Sequence, residues 1–258
     1  MSDKLQLDEP ADGVARLTIA NPERRGALDH EILDALAGYA RTLEPRCLVI
    51  RGSGEVFSAG YDIGNLEEQE FEESAERLVA HPFQDAIEAL EAYRYPVVAE
   101  INGHAIGGGL ELALTCDIRL AAREAKFGMP PARLGLIYSH TGLAKFIDAC
   151  GAANTAELFF LGEAVEAPRA ERMGLVNELV DRAALEARVM TLAAAIAANA
   201  PLSLEGNKRV IRALRTRPLS PQVERELIEL RESCFASEDF REGVRAFAEK
   251  RKPVWRGR

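Results

Sequence analysis

Two glycine-containing segments constrain this chain more than any other feature of its sequence. Residues 58–63 are SAGYDI, and residues 102–114 are NGHAIGGGLELAL. In both segments glycine stands where a strand ends and a turn or helix begins, and a backbone N–H beside glycine is not shielded by a side chain. Two such N–H groups can converge on one oxygen atom. The sequence therefore predicts an oxyanion hole built from main-chain donors.

The order of strand and helix patterns predicts an α/β core followed by a helical C-terminal region. Asp29 is a predicted N-cap for a helix over residues 30–43, whose apolar residues recur at helical spacing. Branched and apolar residues predict strands at 14–19, 47–51, 97–101 and 118–121. A further helix is expected over residues 142–150, and helices alone are expected after residue 183. The acidic stretch at 65–76 is predicted to be a loop or a solvated helix face.

Length, net charge and cysteine spacing argue against several classes of protein. The 258 residues are enough for a large core, and the net charge of -9 disfavours a nucleic acid partner. No apolar run approaches the ~20 residues of a membrane span, and no secretory signal is visible. Four single cysteines lack the spacing of a metal site or a redox pair, so reduced thiols and a cytoplasmic location are expected. The basic residues 241–258 are either a solvated helix with a frayed end or a surface for a phosphate-bearing ligand.

The chain resembles the crotonase, or enoyl-CoA hydratase/isomerase, superfamily from about Val14 to the C-terminus. The segments that carry the resemblance are 21–28 (NPERRGAL), 58–63, 102–114, 127–130 (FGMP) and 238–253. The resemblance implies a spiral of ββα units with the acyl-CoA site over residues 1–195. It also implies a helical trimerisation region over residues 196–258, and self-association as a homotrimer or a dimer of trimers.

The resemblance assigns two oxyanion donors and one carboxylic acid. The backbone N–H groups of Tyr61 and Gly108 correspond to the donors of the family. Glu111 corresponds to the first of two glutamates that handle water in the family's hydratases, although a buried structural acid is the alternative interpretation. The second glutamate would fall at Pro131, which can neither take nor give a proton. This departure disfavours ordinary hydration and isomerisation.

Tyr138 and His140 are further candidates for proton transfer. The segment around Tyr138 resembles the methylmalonyl-CoA decarboxylase branch, in which a tyrosine at this position lines the acyl pocket. His140 titrates near neutral pH and is therefore a possible proton donor. Packing roles are the alternatives for both residues. In the same branch a histidine occupies the place of Tyr61, so the sequence leaves open whether Tyr61 orients a substrate carboxylate.

Coenzyme A is expected only as part of a thioester substrate, with no prosthetic group and no metal. The resemblance places the CoA contacts at Arg24, Arg25, Ser58, Ala59, Ile63, Phe247 and Lys250. The last two of these contacts often come from a neighbouring subunit in the family. Cations beside the CoA phosphates are physically reasonable, because guanidinium and ammonium groups pair well with phosphate oxygens.

The predicted function is decarboxylation of a malonyl-type thioester such as methylmalonyl-CoA. That reaction needs an oxyanion hole and a proton donor but no base, because the departing carboxylate supplies the electron pair. The first alternative is an enoyl-CoA hydratase or isomerase in which Glu111 works with Tyr138 or His140. A non-catalytic CoA-binding or RNA-binding protein is the second, although the acidic net charge argues against RNA.

Overall fold

The computed structural model describes residues 3–62, 82–134 and 137–215, and part of the C-terminal region. The residues described in that region are 220–223, 225, 226, 229, 237–239, 242, 246, 249, 251 and 253–258. The predicted acidic stretch at 65–76 lies outside the described residues.

Strands and helices alternate along most of the described chain. The strands are β1 (Leu5–Ala11), β2 (Val14–Ile19), β3 (Cys47–Gly52), β4 (Val56–Ser58), β5 (Val97–Ile101), β6 (His104–Ile106), β7 (Ile118–Ala122), β8 (Lys126–Gly128), β9 (Val165–Glu166) and β10 (Glu178–Val180). The helices are α1 (His30–Thr42), α2 (Gln84–Ala92), α3 (Gly108–Thr115), α4 (Pro131–Leu134), α5 (His140–Leu161), α6 (Ala167–Met173), α7 (Arg182–Ala197) and α8 (Pro201–Arg215).

The described strands form two sheets, and successive strands from β3 to β8 alternate between them. The larger sheet has the order β1-β2-β3-β5-β7-β10, and the smaller sheet has the order β4-β6-β8-β9. Three consecutive units place one strand in the larger sheet, the next strand in the smaller sheet and then a helix: β3, β4 and α2; β5, β6 and α3; β7, β8 and α4. Pairing is parallel except between β1 and β2 and between β8 and β9. The predicted α/β class with a ββα spiral is confirmed.

Most predicted elements have the expected bounds. The strands at 14–19 and 97–101 are confirmed, and the Asp29 carboxylate accepts a hydrogen bond from the Ile32 N–H at 3.0 Å as the N-cap of α1. The helix predicted at 142–150 is longer, because α5 begins at His140 and continues through a non-helical break at Gly151. The division of the chain at residue 195 and the self-association stay predictions.

The C-terminal residues fold back on the core. Asp239 is buried, and its carboxylate accepts hydrogen bonds from the backbone N–H groups of Arg256 and Gly257 at 2.7 and 2.9 Å. The indole of Trp255 donates to the carbonyl of Ala198 at 2.6 Å, just beyond the end of α7. No single described helix is long and apolar enough to cross a membrane, and only α7 and α8 taken together, bent by 104°, reach that length and composition.

The larger sheet carries a buried charged group on the face covered by α7. Glu100 on β5 is 1% exposed and lies 3.3 Å from the guanidinium of Arg51 on β3. Its second carboxylate oxygen is buried with no hydrogen-bond partner among the described residues. Burial raises the pKa of Glu100 from 4.5 to about 7, and the charge of Arg51 offsets only part of that effect.

We expect the substitution Glu100→Gln to stabilise the protein above neutral pH. Between pH 4.5 and about 7 the unfolded chain loses the Glu100 proton while the folded chain keeps it, so folding becomes less favourable as pH rises. The full penalty above pH 7 is about 3 kcal/mol, and glutamine does not have it. Urea unfolding at pH 8 should show the gain. The difference should vanish at pH 4.5, and an equal gain at both pH values would contradict this explanation.

Candidate active site

The two glycine segments meet because they follow neighbouring strands of the smaller sheet. β4 pairs with β6 in parallel, so the carboxyl ends of both strands lie at the same edge. Gly60 follows β4 with a φ of 91°, and a Cβ added there would lie 3.0 Å from the backbone nitrogen of Gly108. The same Cβ would lie 2.8 Å from the carbonyl oxygen of Ile106. The close approach of the two segments therefore requires glycine at position 60.

Residues 21–28 hold the first segment in place. Leu28 donates to the carbonyl of Gly60 at 2.7 Å and accepts from the N–H of Asp62 at 3.1 Å. The hydroxyl of Ser58 donates to the carbonyl of Gly26 at 2.7 Å and accepts from the N–H of Gly60 at 3.2 Å. The bend at residues 58–62 is therefore fixed by backbone and hydroxyl hydrogen bonds.

Two backbone N–H groups at this edge, those of Tyr61 and Gly108, take no part in these described hydrogen bonds. In the bridge between Leu28 and Tyr61, the neighbours of Tyr61 make the hydrogen bonds, so the Tyr61 N–H points to the opposite side. Gly108 is the first residue of α3, and first-turn N–H groups have no acceptor within their helix. Among the described residues neither N–H has an acceptor. Both are available to a ligand oxygen, and the positive end of α3 favours negative charge there.

Glu111 lies one turn into α3 and is 1% exposed. The hydroxyl of Tyr138 donates to its carboxylate at 2.5 Å. Burial raises the pKa of Glu111, whereas the hydrogen bond from Tyr138 and the charge of Lys145 lower it, and the charge of Glu91 adds to the rise. The carboxyl is therefore suited to hold and release a proton nearer neutrality than an exposed glutamate.

Tyr61 and Tyr138 connect the oxyanion donors with Glu111. Their hydroxyl oxygens are 3.4 Å apart, and the Tyr61 ring packs against Gly108, where an added Cβ would lie 3.1 Å from two of the ring carbons. The Tyr61 ring meets Phe83 edge to face at 4.8 Å, and the Tyr138 ring meets Phe159 at 5.6 Å. Burial raises the pKa of both hydroxyls, so both are neutral hydrogen-bond donors at physiological pH.

The structure brings together four of the five predicted catalytic residues. Tyr61, Gly108, Glu111 and Tyr138 lie in one group, linked by the contacts above. His140 differs, because it is the exposed first residue of α5. Within the described residues no hydrogen bond or ion pair joins its side chain to this group.

The predicted CoA contacts are only partly within the described residues. Arg24 and Arg25 are exposed in the turn beside residues 58–62, and Arg24 lies 3.6 Å from the Asp62 carboxylate. Ser58 is fully buried and its hydroxyl is engaged within the protein, while the Ala59 N–H donates to the Arg25 carbonyl at 3.0 Å. Ile63, Phe247 and Lys250 lie outside the described residues.

The sequence did not reveal two residues, Lys145 and Glu91, whose charges shift the pKa of Glu111. Lys145 on α5 is 9% exposed and pairs with Glu91 on α2. The only sequence signal was the helical spacing of Lys145 from Gly142, which places both on the same face of α5. The partner of Lys145 comes from 54 residues away and has no local signature.

The arrangement combines an oxyanion site with one carboxylic acid and two phenols. It suits reactions in which a carbonyl becomes an enolate and a proton is exchanged at the adjacent carbon. Pro131 begins the short helix α4 and supplies no acid or base. Among the described residues, no group of three or more His, Cys, Asp or Glu side chains is placed to hold a metal ion.

Comparisons with known proteins show the family to which this chain belongs. The family model described as enoyl-CoA hydratase/isomerase matches residues 9–258. A probable enoyl-CoA hydratase of Bacillus subtilis is 35% identical over 249 residues, covering 95% of each chain. The 2,3-dehydroadipyl-CoA hydratase of Escherichia coli is 30% identical over 255 residues, covering 95% of this chain and 96% of its own.

A solved structure supports the same assignment. The crystal structure of an enoyl-CoA hydratase/carnithine racemase from Magnetospirillum magneticum superposes with a TM-score of 0.90 at 31% identity, covering 100% of this chain and 97% of that one. The similarity therefore extends over both sheets and the edge where the glycine segments meet. With its family model, relatives and fold in agreement, this chain belongs to the enoyl-CoA hydratase/isomerase family and is an enzyme that acts on acyl-CoA.

Proposed function

We propose that the enzyme forms a thioester enolate and that its favoured reaction is decarboxylation of a malonyl-type thioester such as methylmalonyl-CoA. The observation that carries the proposal is that the N–H groups of Tyr61 and Gly108, which have no acceptor among the described residues, lie on the same group of elements as the Glu111 carboxyl. The bond between the α carbon and the substrate carboxylate breaks, and carbon dioxide leaves. The electron pair remains as an enolate, whose negative charge on the thioester oxygen is stabilised by the two N–H groups.

The proton that completes the reaction comes from the Glu111 and Tyr138 pair. The enolate carbon takes one proton, and the carboxyl group is replenished from solvent. Because burial raises the pKa of Glu111, its carboxyl keeps this proton to a higher pH than an exposed glutamate does. No step requires removal of a proton from the substrate, so the presence of Pro131 in place of a second glutamate is no obstacle.

Hydration of an enoyl-CoA is a second candidate, which the names of the relatives favour. In that reaction Glu111 takes a proton from water, the water oxygen bonds to the β carbon, and a second group protonates the α carbon. Among the described residues that contact Glu111, Tyr138 is the group able to donate that proton. A buried neutral phenol is a weak acid, and for this reason decarboxylation is the favoured reaction.

Two substrates separate these reactions. The purified protein is incubated with methylmalonyl-CoA while carbon dioxide release is followed, and with crotonyl-CoA while loss of the enoyl absorbance is followed. Carbon dioxide release alone supports the proposal. Loss of enoyl absorbance alone assigns the protein as a hydratase. Turnover of neither substrate, together with a salt-dependent shift of RNA by the protein, would favour a non-catalytic binding protein.

Arg24 and Arg25 are proposed to contact the CoA phosphates. Both are exposed in the turn that holds residues 58–62, so a CoA moiety bound there would extend directly from the oxyanion site. The Ser58 hydroxyl is already engaged with Gly26 and Gly60, and any contact from this region to CoA would come from backbone groups.

We expect Tyr138→Phe to lower kcat by about 10- to 100-fold. The substitution removes a hydrogen bond to a charged group, typically worth about 1.5–3 kcal/mol. The limb of the pH profile that reports Glu111 should also move to higher pH, because this hydrogen bond lowers the pKa of Glu111. Tyr39→Phe is the control, since Tyr39 is a partly buried tyrosine of α1 that packs on the core. An unchanged pH profile in Tyr138→Phe would contradict the role assigned to the hydroxyl.

A further inference from the structure

We propose that Lys145 is a positioning residue for Glu111, held by Glu91 so that its ammonium group sets the charge state in which Glu111 enters the reaction. The proposal rests on Glu111 being the proton-transfer group of the proposed function. It assigns a role in catalysis to Lys145 on α5 and Glu91 on α2, two helices that do not supply the proposed oxyanion donors.

The backbone at the start of α5 lies close to the Glu111 carboxyl. A Cβ added at Gly142 would lie 3.0 Å from a carboxylate oxygen of Glu111, so the backbone of α5 approaches this carboxyl closely. Lys145 follows three residues later, which places it on the same face of α5 one turn further along. Its side chain is 9% exposed, and its ammonium group is held in an ion pair with Glu91 at the end of α2.

The ion pair with Glu91 holds the Lys145 ammonium group in place. Glu91 is 25% exposed, and its other carboxylate oxygen lies 4.0 Å from the guanidinium of Arg212 on α8. An ammonium group that is buried without a partner is expensive, and the Glu91 carboxylate compensates for that cost. Lys145 is thereby fixed between the Glu111 site and a cleft lined by α2, α5 and α8.

The described charged and titratable groups that act on Glu111 belong to four segments of the chain. Tyr138, in the segment before α5, donates a hydrogen bond to Glu111. Tyr61, in the segment after β4, contacts the Tyr138 hydroxyl through its own hydroxyl. Lys145 acts from α5 and Glu91 acts from α2. Lys145 lowers the pKa of Glu111 and Glu91 raises it. The two members of this ion pair therefore shift the pKa of Glu111 in opposite directions.

Because the two charges have opposite effects, substitutions of Lys145 and Glu91 should shift the titration midpoint of Glu111 in opposite directions. Lys145→Met should raise the midpoint of the Glu111 titration, because the charge of Lys145 lowers the pKa of Glu111. Lys145→Arg should restore a midpoint near that of the parent protein, because it keeps the charge. Glu91→Gln should lower the midpoint, because the charge of Lys145 is then no longer neutralised by a neighbour. The midpoint is measured in the whole protein by carbon-13 NMR of the glutamate carboxyl signals, using the signal lost in Glu111→Gln as the assignment.

Lys208→Met is the matched control. Lys208 is 8% exposed and lines the same cleft, but its ammonium group bonds the Tyr95 carbonyl at 2.8 Å and pairs with Asp117. Its loss should reduce stability and leave the Glu111 midpoint unchanged. If Lys145→Met does not fold, the downward shift in Glu91→Gln still tests the proposal. An unchanged midpoint in Glu91→Gln, or shifts of the same sign in Glu91→Gln and Lys145→Met, would overturn it.

The test also separates this proposal from the proposed function. The NMR midpoint does not depend on turnover, so opposite shifts support the effect of Lys145 on the charge state of Glu111, and the pH-rate profile tests separately whether Glu111 transfers the proton. If the midpoint shifts but the matching limb of the pH-rate profile does not, Glu111 is not the proton-transfer group and the proposed function is wrong. If neither the midpoint nor the profile shifts, the inference about Lys145 is wrong while the proposed function stands.

Discussion

Replacement of Gly60 by alanine should lower kcat by about 100- to 1,000-fold, the loss typical of a displaced oxyanion donor. A Cβ at this position would lie 2.8 Å from the Ile106 carbonyl and 3.0 Å from the Gly108 nitrogen. Both atoms belong to backbone, so the two segments must move apart. The Tyr61 and Gly108 N–H groups would then no longer reach the same oxygen. Steady-state kinetics with a turned-over acyl-CoA measures the effect.

Gly54→Ala is the control for backbone strain. Gly54 also has a positive φ, 67°, but a Cβ there would have no neighbour within 4 Å. Both alanine variants therefore carry the cost of a left-handed backbone, about 1–3 kcal/mol, and only Gly60→Ala separates the donors. Urea unfolding should show loss of stability in both variants. A folded Gly60→Ala enzyme with unchanged kcat would show that the two segments need not be in contact for catalysis.

The second large effect is expected from Glu111→Gln, which should lower kcat by about 100- to 10,000-fold. Glutamine has nearly the same shape and can still accept the hydrogen bond from Tyr138, but it cannot transfer a proton. Because burial disfavours the charged carboxylate, the neutral amide should fold at least as stably as glutamate. The loss would therefore be a loss of chemistry and not of structure.

Glu100→Gln provides the matched control for Glu111→Gln. Glu100 is equally buried, at 1% exposure, but it lies on the face of the larger sheet that α7 covers. Its replacement should stabilise the protein at pH 8 and leave kcat unchanged. If Glu111→Gln keeps most of its activity while folding normally, Glu111 is the buried structural acid that the sequence left as an alternative.

The backbone geometry of the two glycine segments was predictable because its signals are local, whereas the family resemblance assigned Tyr61 and Gly108 as the donors. Glycine at 60 and 108 stands at the ends of strands, and the positive φ at Gly60 and the helix start at Gly108 follow from neighbouring residues. The cap of α1 by Asp29 and the strand at 97–101 have similar local signatures, and both were confirmed. Such features depend on a few consecutive residues.

The remaining features depend on contacts between distant residues. The strands β4, β6 and β8 have three residues each, which is too short for a periodic pattern. The hydrogen bond between Tyr138 and Glu111 joins residues 27 apart, and the ion pair between Lys145 and Glu91 joins residues 54 apart. The buried Glu100 shows no local sign of its environment. These contacts follow from how the sheets and helices pack, which the sequence alone did not specify.

A crystal structure of the enzyme with an unreactive CoA thioester would show whether the Tyr61 and Gly108 N–H groups bind the thioester oxygen. We predict that the thioester oxygen lies about 2.7–3.1 Å from both backbone nitrogens, those of Tyr61 and Gly108, which is the distance of an oxyanion hydrogen bond. The α carbon should then face the Glu111 and Tyr138 pair. A thioester oxygen bound elsewhere, or a Tyr61 or Gly108 N–H engaged by another protein group, would contradict this prediction.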